Sequence, residues 1–511
     1  MLKILKKTIS FMMSKVFIVS FLALLHLGAM VLLFYTLADY TRIFSFSLRV
    51  LSLLMTLYII KKDEIPEYKL LWILFITLIP LLGGLFYIFF GNKQPSKRLR
   101  KKLEKVEKKH WKDFDYNLDP LKVLDRRRAM TANYINSHAP YPAYNNTAVK
   151  YYSLGEDMYG DMIRDLRAAK KTIFMEYFIV AKGNMWEEIF CVLKEKVSEG
   201  VDVRLIYDDL GSIAVLPPNL LKECKQYNIK CKPFNVAVPF FSLVMNNRNH
   251  RKMLVIDGNI SYTGGINISD EYINELVRFG HWKDTGIRLV GEATWNFTVM
   301  FLNLWNGINK RDEDYTRFKP DEKVLAMVKN NCVVQPFCDS PLDDERTGEN
   351  IYIDILNQAE KYVYIFTPYL IINSQMQNAL TLAAKRGVDV RIVTPGIPDK
   401  KTVFQLTRSY YQPLLKEGVK IFEYSPGFIH AKSFISDDKV GVVGTINMDY
   451  RSLYLHFECG VLMFNSNAIN EIKLDCIDVF SKSKKVELND IKSSLFSGLY
   501  QAILRLLSPL F

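Results

Sequence analysis

Histidine and cysteine, the commonest soft ligands and nucleophiles, are scarce in this 511-residue chain, at seven residues each. The Cys stand at 191, 224, 231, 332, 338, 459 and 476 and form no Cys-x-x-Cys pair. An odd, scattered set suits free thiols in a reducing compartment and excludes a disulfide framework. No Cys/His grouping has zinc-ligand spacing, so neither a metal nor any other cofactor is expected. No aromatic-basic RNA-binding motif appears. Charge is missing as well from one long stretch near the start: residues 16–38 are 23 positions without a single charged side chain.

That stretch is long enough to cross a bilayer. It is too long for the apolar core of a cleaved signal, and more apolar sequence follows it at once. A second apolar run, 43–60, holds Arg49, and a third, 70–90, contains Pro80 and Gly83-Gly84, which break or bend a helix. Lys3, Lys6, Lys7 and Lys15 before these runs and the basic stretch after them place both flanks on the cytoplasmic side. Both ends inside requires an even number of crossings, so 16–38 and 43–60 are expected to span, with 70–90 re-entrant or interfacial. The chain carries a net charge of +13, and residues 93–112 alone hold ten Lys or Arg against two Glu. Beside a membrane segment, such a run points to anionic lipid as the partner. Residues 1–92 therefore read as a membrane anchor and 93–134 as a basic juxtamembrane linker.

The remainder repeats itself. Ala169-Lys170-Lys171-Thr172-Ile173-Phe174 is echoed by Ala359-Glu360-Lys361-Tyr362-Val363-Tyr364, and Gly200-Val201-Asp202-Val203-Arg204-Leu205 by Gly387-Val388-Asp389-Val390-Arg391-Ile392. Each copy reads as a helix, a buried strand, another helix and a second strand. Strands alternating with helices indicate an α/β sandwich. The halves are expected at 135–323 and 324–511, with the polar stretch from Asn309 to Lys323 as their junction.

Two of the seven His recur in one long context. His250-Arg251-Lys252 runs on to Asp257 and Asn267, and His430-Ala431-Lys432 runs on to Asp437 and Asn447. In both copies Lys follows His by two, Asp follows Lys by five and Asn follows Asp by ten. On a strand, residues i and i+2 share a face, so each copy aims an imidazole and an ammonium at one point. Two facing copies give one pocket with two His and two Lys. Asp257 and Asp437 belong to the same motif. Being an odd number of positions from their His, they are read as holding backbone at a strand end.

The doubled His-x-Lys-x4-Asp pattern resembles the phospholipase D superfamily, and more closely its bacterial cardiolipin synthases. Gly264-Gly265-Ile266-Asn267, Trp282-Lys283-Asp284, Thr367-Pro368-Tyr369, Gly444-Thr445-Ile446-Asn447-Met448-Asp449 and Arg451-Ser452-Leu453 extend the resemblance over nearly the whole chain. His456, in Leu455-His456-Phe457-Glu458, departs from it, since Asn is usual there. The resemblance implies two phospholipase D-like α/β halves sharing one active site, preceded by transmembrane helices. It implies an enzyme of the bacterial plasma membrane, and the basic stretch at 93–112 is expected to keep the catalytic domains facing the cytoplasm. Its reaction would turn two phosphatidylglycerol molecules into cardiolipin and glycerol.

Within that expectation the catalytic set is His250, Lys252, Asp257, His430, Lys432 and Asp437. The resemblance makes His250 the nucleophile and His430 the acid, an order the residues alone leave open. Lys252 and Lys432, with Asn267 and Asn447, are expected on the phosphoryl oxygens. The resemblance also gives Asp284 and Glu458 the task of orienting the imidazoles. Hydrolytic phospholipase D, or another phosphatidyltransferase, is the alternative. Nucleic acid is not expected, because the positive charge concentrates beside the apolar segments.

Overall fold

The computed structural model describes residues 28–29, 41–91, 97–114, 116–236, 247–309, 313–328, 332–343, 345–491 and 495–510. The chain forms two compact units, Met1–Lys93 and Gln94–Phe511.

In the first unit, helix Thr41–Lys61 includes the one described segment long and apolar enough to span a bilayer, Ile43–Lys61, with a mean hydropathy of 2.0. Its outer face is apolar: Ile43, Leu53, Leu54 and Leu57 are more than half exposed. Such a face is unstable in water and suits lipid, so the protein is membrane-associated. The expected span at 16–38 lies outside the described residues, apart from 28–29. The 70–90 run falls in two helices, Pro66–Leu78 and Pro80–Phe90. Proline forces the residue before it out of the helical region, and Ile79 accordingly sits at φ −134°, ψ 74°. Gly83 lets the two helices close up, since a Cβ there would stand 2.6 Å from the Phe75 carbonyl oxygen.

The second unit is built on two mixed sheets of matching topology. The first contains β1 (Thr147–Tyr152), β2 (Thr172–Tyr177), β3 (Asp202–Asp208), β4 (Lys230–Phe234), β5 (Met253–Ile256), β6 (Ile260–Gly264) and β8 (Gly286–Gly291). The short β7 (His281–Lys283) lies outside it. The second contains β9 (Val333–Asp339), β10 (Tyr362–Phe366), β11 (Asp389–Pro395), β12 (Lys420–Tyr424), β14 (Ser433–Ser436), β15 (Val440–Gly444), β16 (Glu458–Phe464) and β17 (Ser483–Lys485), with β13 (Gly427–Ile429) outside. The strand orders are β1-β8-β6-β5-β2-β3-β4 and β9-β16-β15-β14-β10-β11-β12-β17. Apart from β17, which adds an eighth strand at the edge of the second sheet, these are one design, so the sequence repeat is a structural repeat. In each half three parallel strands, β2-β3-β4 and β10-β11-β12, join an antiparallel set through β5 and β14. The central strands β2 and β10 are buried along their whole length, as covered parallel strands require.

Helix Thr294–Asn309 is buried almost throughout and packs against both sheets. Its Asn296 amide donates to the carbonyls of Pro142 and Pro336 at 3.0 and 2.8 Å, which satisfies a polar group inside an apolar core. The segment expected as linker contains helix Lys97–His110, whose Leu103 is buried against Gly307 of that core helix. Lys101, Lys102, Lys105, Lys108 and Lys109 remain exposed.

The strands outside the sheets tie the halves together. β7 of the first half pairs in parallel with β13 of the second, Gly427 facing His281 and Ile429 facing Lys283. At the pseudo-equivalent place, Asn249 bridges Phe457.

Candidate active site

Each His sits where its chain leaves one half and brushes the other. His430 follows β13 directly, and its N–H donates to the Lys283 carbonyl at 2.7 Å. His250 follows the Asn249 bridge, and its N–H donates to the Phe457 carbonyl at 2.9 Å. His250 and Lys252, like His430 and Lys432, precede β5 and β14 rather than lying on them. The strand expected for these motifs is an extended connector, which still turns His and Lys inward: all four side chains are buried.

This docking crosses the halves. Lys283 and Phe457 immediately precede Asp284 and Glu458, so each main-chain contact delivers the other half's acid to the imidazole. His250 Nδ1 lies 2.8 Å from Glu458 Oε1, and His430 Nδ1 lies 2.7 Å from Asp284 Oδ2. A neutral ring that donates from Nδ1 keeps its lone pair on Nε2, the nitrogen left to meet a substrate. Lys252 Nζ donates to the His250 carbonyl at 2.6 Å, and Lys432 Nζ donates to the His430 carbonyl. Lys432 Nζ also stands 2.8 Å from His430 Nδ1.

The two acids are seated differently. Gly265 leaves room for Asp284, because a Cβ there would fall 2.0 Å from Asp284 Oδ1. In the second half Thr445 takes the place of Gly265, and its hydroxyl donates to Glu458 Oε2. The longer acid thus comes with a side chain to hold it, the shorter one with a vacancy to fit it. This complementarity was not visible in the motif alone.

Burial sets the charges. It pushes His250 well below the usual imidazole range, and Lys252, Lys432 and His430 push the same way. Burial and then the Lys432 ammonium lower His430 to about 4, against the upward pull of Asp284. Lys252 is lowered by burial to about 8 and Lys432 to about 7. Burial acts to raise Asp284, but His430 and Lys432 outweigh it and hold that carboxyl below its ordinary value. Glu458 is raised by burial to about 7, with Lys252 opposing. At neutral pH both imidazoles are neutral and Asp284 is ionised, while burial has brought Glu458 up and Lys432 down toward neutral pH from opposite sides.

The remaining motif residues build the frame. The Asp257 carboxylate accepts from the backbone N–H groups of Lys170, Lys171 and Thr172, at 2.7 to 2.8 Å. Asp437 does the same for Glu360, Lys361 and Tyr362, at 2.8 to 2.9 Å. Both Asp adopt left-handed backbone, φ +55° and +57°. They fasten the entry to β2 and β10 rather than joining the His/Lys cluster. Asn267 accepts from Ile179 N–H at 3.0 Å and donates to Tyr272 Oη at 2.7 Å. Asn447 donates to Asp449 Oδ2 at 3.0 Å.

Several contributors lay outside the motif. Phe178 meets the His250 ring edge-on at 5.0 Å. Tyr272 and Trp282 stand 5.4 Å from His430. Arg251 pairs with Glu176 at 2.6 Å, and Asn249 donates to that same Glu176 oxygen at 2.7 Å, which fixes the backbone on both sides of His250. His456 also enters the site, its ring 5.6 Å from that of His250.

Comparison with known proteins agrees with this architecture. A family profile described as "Cardiolipin synthase, PLD-like domain" matches residues 162–276 and again 352–476. One described as "Phospholipase_D-nuclease N-terminal" matches 50–92. A cardiolipin synthase of Alkalihalophilus pseudofirmus is 32% identical over 452 residues, covering 87% of this chain and 89% of that protein. A Streptococcus mutans protein described only as uncharacterized is 43% identical over 460 residues, covering 89% of this chain and 99% of its own. Among solved structures, the phosphatidylserine synthase of Haemophilus influenzae superposes with a TM-score of 0.57 at 15% identity, over 75% of this chain and all of that one, a likeness of fold.

Proposed function

The chain belongs to the bacterial cardiolipin synthases of the phospholipase D superfamily, and from that we propose that it joins two phosphatidylglycerol molecules into cardiolipin and glycerol. The observation that carries this reading is the crossed pair of His–carboxylate contacts, closed around two buried lysines.

In the proposed reaction His250 Nε2 attacks the phosphorus of the first lipid. The bond to the terminal glycerol oxygen breaks, and His430, which takes up a proton once the lipid phosphate brings its negative charge beside the ring, supplies the proton that leaves with free glycerol. A hydroxyl of the second lipid then gives its proton to His430 and attacks the same phosphorus. The phosphorus–nitrogen bond breaks, and cardiolipin results. One phosphate ester replaces another, so no external energy source enters. Lys252 and Lys432 balance the phosphoryl charge in a dry site, where fixed charges act most strongly. The difference between the two acids supports the order of roles. Asp284, ionised beside His430, stabilises an imidazolium, as an acid–base group needs. His250, pressed furthest toward the neutral ring, suits attack.

Residues 1–92 are proposed as a multi-pass anchor in the plasma membrane, with two crossings and with 93–134 and both catalytic halves on the cytoplasmic side. There the acceptor lipid is concentrated and competes with water. The exposed lysines of Lys97–His110 face an anionic leaflet, at roughly 1 kcal/mol per cation near the surface. A reporter fused after Gly91 should be cytoplasmic; an extracytoplasmic reporter would overturn this orientation. For the reaction, mass spectrometry of lipids after incubation with phosphatidylglycerol should show cardiolipin, absent with His250→Ala. Phosphatidic acid as sole product would identify a hydrolase instead.

A further inference from the structure

Three donor side chains lie around one point on the Glu458 side of His250. One ligand atom each from His250, His456 and Glu458 falls within 4.8 Å of the other two. The proposed reaction uses His250 and Glu458 as a pair and gives His456 no task. Yet His456 is not settled by its surroundings. Its Nδ1 is buried and, among the described residues, has no hydrogen-bond partner. A buried polar nitrogen left unpaired is costly and calls for an explanation.

We propose that His250, His456 and Glu458 form a binding site for a borderline divalent transition ion such as Zn2+, and that its occupancy silences His250. Two imidazoles and one carboxylate match the preferences of zinc, whereas Mg2+ and Ca2+ favour all-oxygen shells. Ligand bonds of about 2.0–2.1 Å in a tetrahedral arrangement put donor atoms roughly 3.3 Å apart. The 2.8 Å His250–Glu458 contact opens by only a few tenths of an ångström to reach that spacing, and His456 swings in to complete three ligands. The fourth position is left to water. Lys252 and Lys432 oppose a cation here. They make the ion reversibly held rather than permanent, and Glu458 offsets part of their charge.

Silencing follows from the tautomer. The ion takes the Nδ1 lone pair of His250, and the ring proton moves from Nδ1 to Nε2. The imidazole releases no proton, and the only proton lost is that of the protonated fraction of Glu458, which must ionise to ligate, but Nε2 no longer has a lone pair to offer phosphorus. This step rests on the nucleophilic role proposed above for His250; ion binding itself does not. Sequence spacing hid the site because His250 and Glu458 are 208 residues apart.

The test uses the full chain purified in detergent. Zn2+ is titrated calorimetrically, with Co2+ as a spectroscopic probe of low-coordinate nitrogen and oxygen ligation. Wild type should bind one ion at this site and show the intense visible bands of four-coordinate Co2+. His456→Asn should weaken binding by at least about 10- to 100-fold. His456→Gln serves the same purpose if the Asn variant does not fold. Excess Mg2+ should not displace the probe. Zn2+ should inhibit turnover, with the half-inhibiting concentration raised by the same factor in the variant, each protein measured against its own uninhibited rate. Wild type without four-coordinate Co2+ bands, or equal ion affinity with and without His456, overturns the proposal. Ion binding through His456 in a protein that makes no cardiolipin leaves the site standing and removes the functional reading instead.

Discussion

His250 and Glu458 belong to opposite halves of a duplicated fold, yet the His250 Nδ1 lies 2.8 Å from Glu458 Oε1. The mirror contact joins His430 to Asp284 at 2.7 Å. Each half therefore lacks the acid for its own imidazole and receives it from its twin. Glu458→Gln and Asp284→Asn should each lower kcat by about 10^2 to 10^4, the range seen when an orienting acid loses its charge. The double variant should fall well short of the product of the two losses, because the groups act as a unit. Steady-state kinetics of the three variants, with thermal melts to confirm folding, provides the check.

Gly265 is expected to be as sensitive as the acid it accommodates. A methyl there would stand 2.0 Å from Asp284 Oδ1 and push the carboxylate off His430. Gly265→Ala should therefore reproduce the kinetic loss of Asp284→Asn, on the order of 10^2-fold or more. Thr445→Gly in the other half leaves space rather than a clash, and should cost less. The comparison of kcat between these two variants reads the difference.

Asp257 and Asp437 share the motif but do different work. Each carboxylate holds three backbone N–H groups at the start of a central strand. Replacing either by Ala takes the partner from the N–H of a buried strand residue, Thr172 or Tyr362, and should destabilise the fold by about 1–3 kcal/mol. The loss should appear in denaturant midpoints. The rate per folded molecule should change far less than in His250→Ala.

How much of this was legible beforehand differs from residue to residue. The duplication was, because central buried strands tolerate few patterns and β2 and β10 repeat theirs. His250, Lys252, His430 and Lys432 were legible as a set, since few residue types supply a nucleophile, an acid and fixed positive charge. The structural task of Asp257 and Asp437 followed from their odd spacing. The crossing of acids did not, because sequence distance records nothing about which half a chain end touches; the short β7–β13 pairing decides it. The connector geometry of His250 and His430 was also hidden, as both precede residues that do form strands. Nor did charge alone reveal that Leu103 seats the basic helix against Gly307.

The pH dependence of kcat/KM should be bell-shaped, since that parameter reports the free enzyme. Glu458, raised to about 7, gains its charge as pH rises through that value and sets the acid limb. Lys432 and Lys252, lowered to about 7 and about 8, lose their ammonium charge as pH rises through those values and set the alkaline limb. Bound phosphate favours the charged lysines, so the alkaline limb of kcat should move to higher pH. Glu458→Gln should flatten the acid limb. A kcat/KM that stays level from about pH 5 to 9 would contradict these assignments.

The composite site, with one His attacking and the other moving protons, is tested most directly by trapping the intermediate. Wild type and the His250→Ala and His430→Ala variants are quenched in base soon after mixing with phosphatidylglycerol labelled in its phosphate, and the modified peptide is mapped. The account predicts an acid-labile label on His250, retained when His430 is replaced and absent when His250 is. A label on His430, or turnover without any labelled histidine, would contradict it.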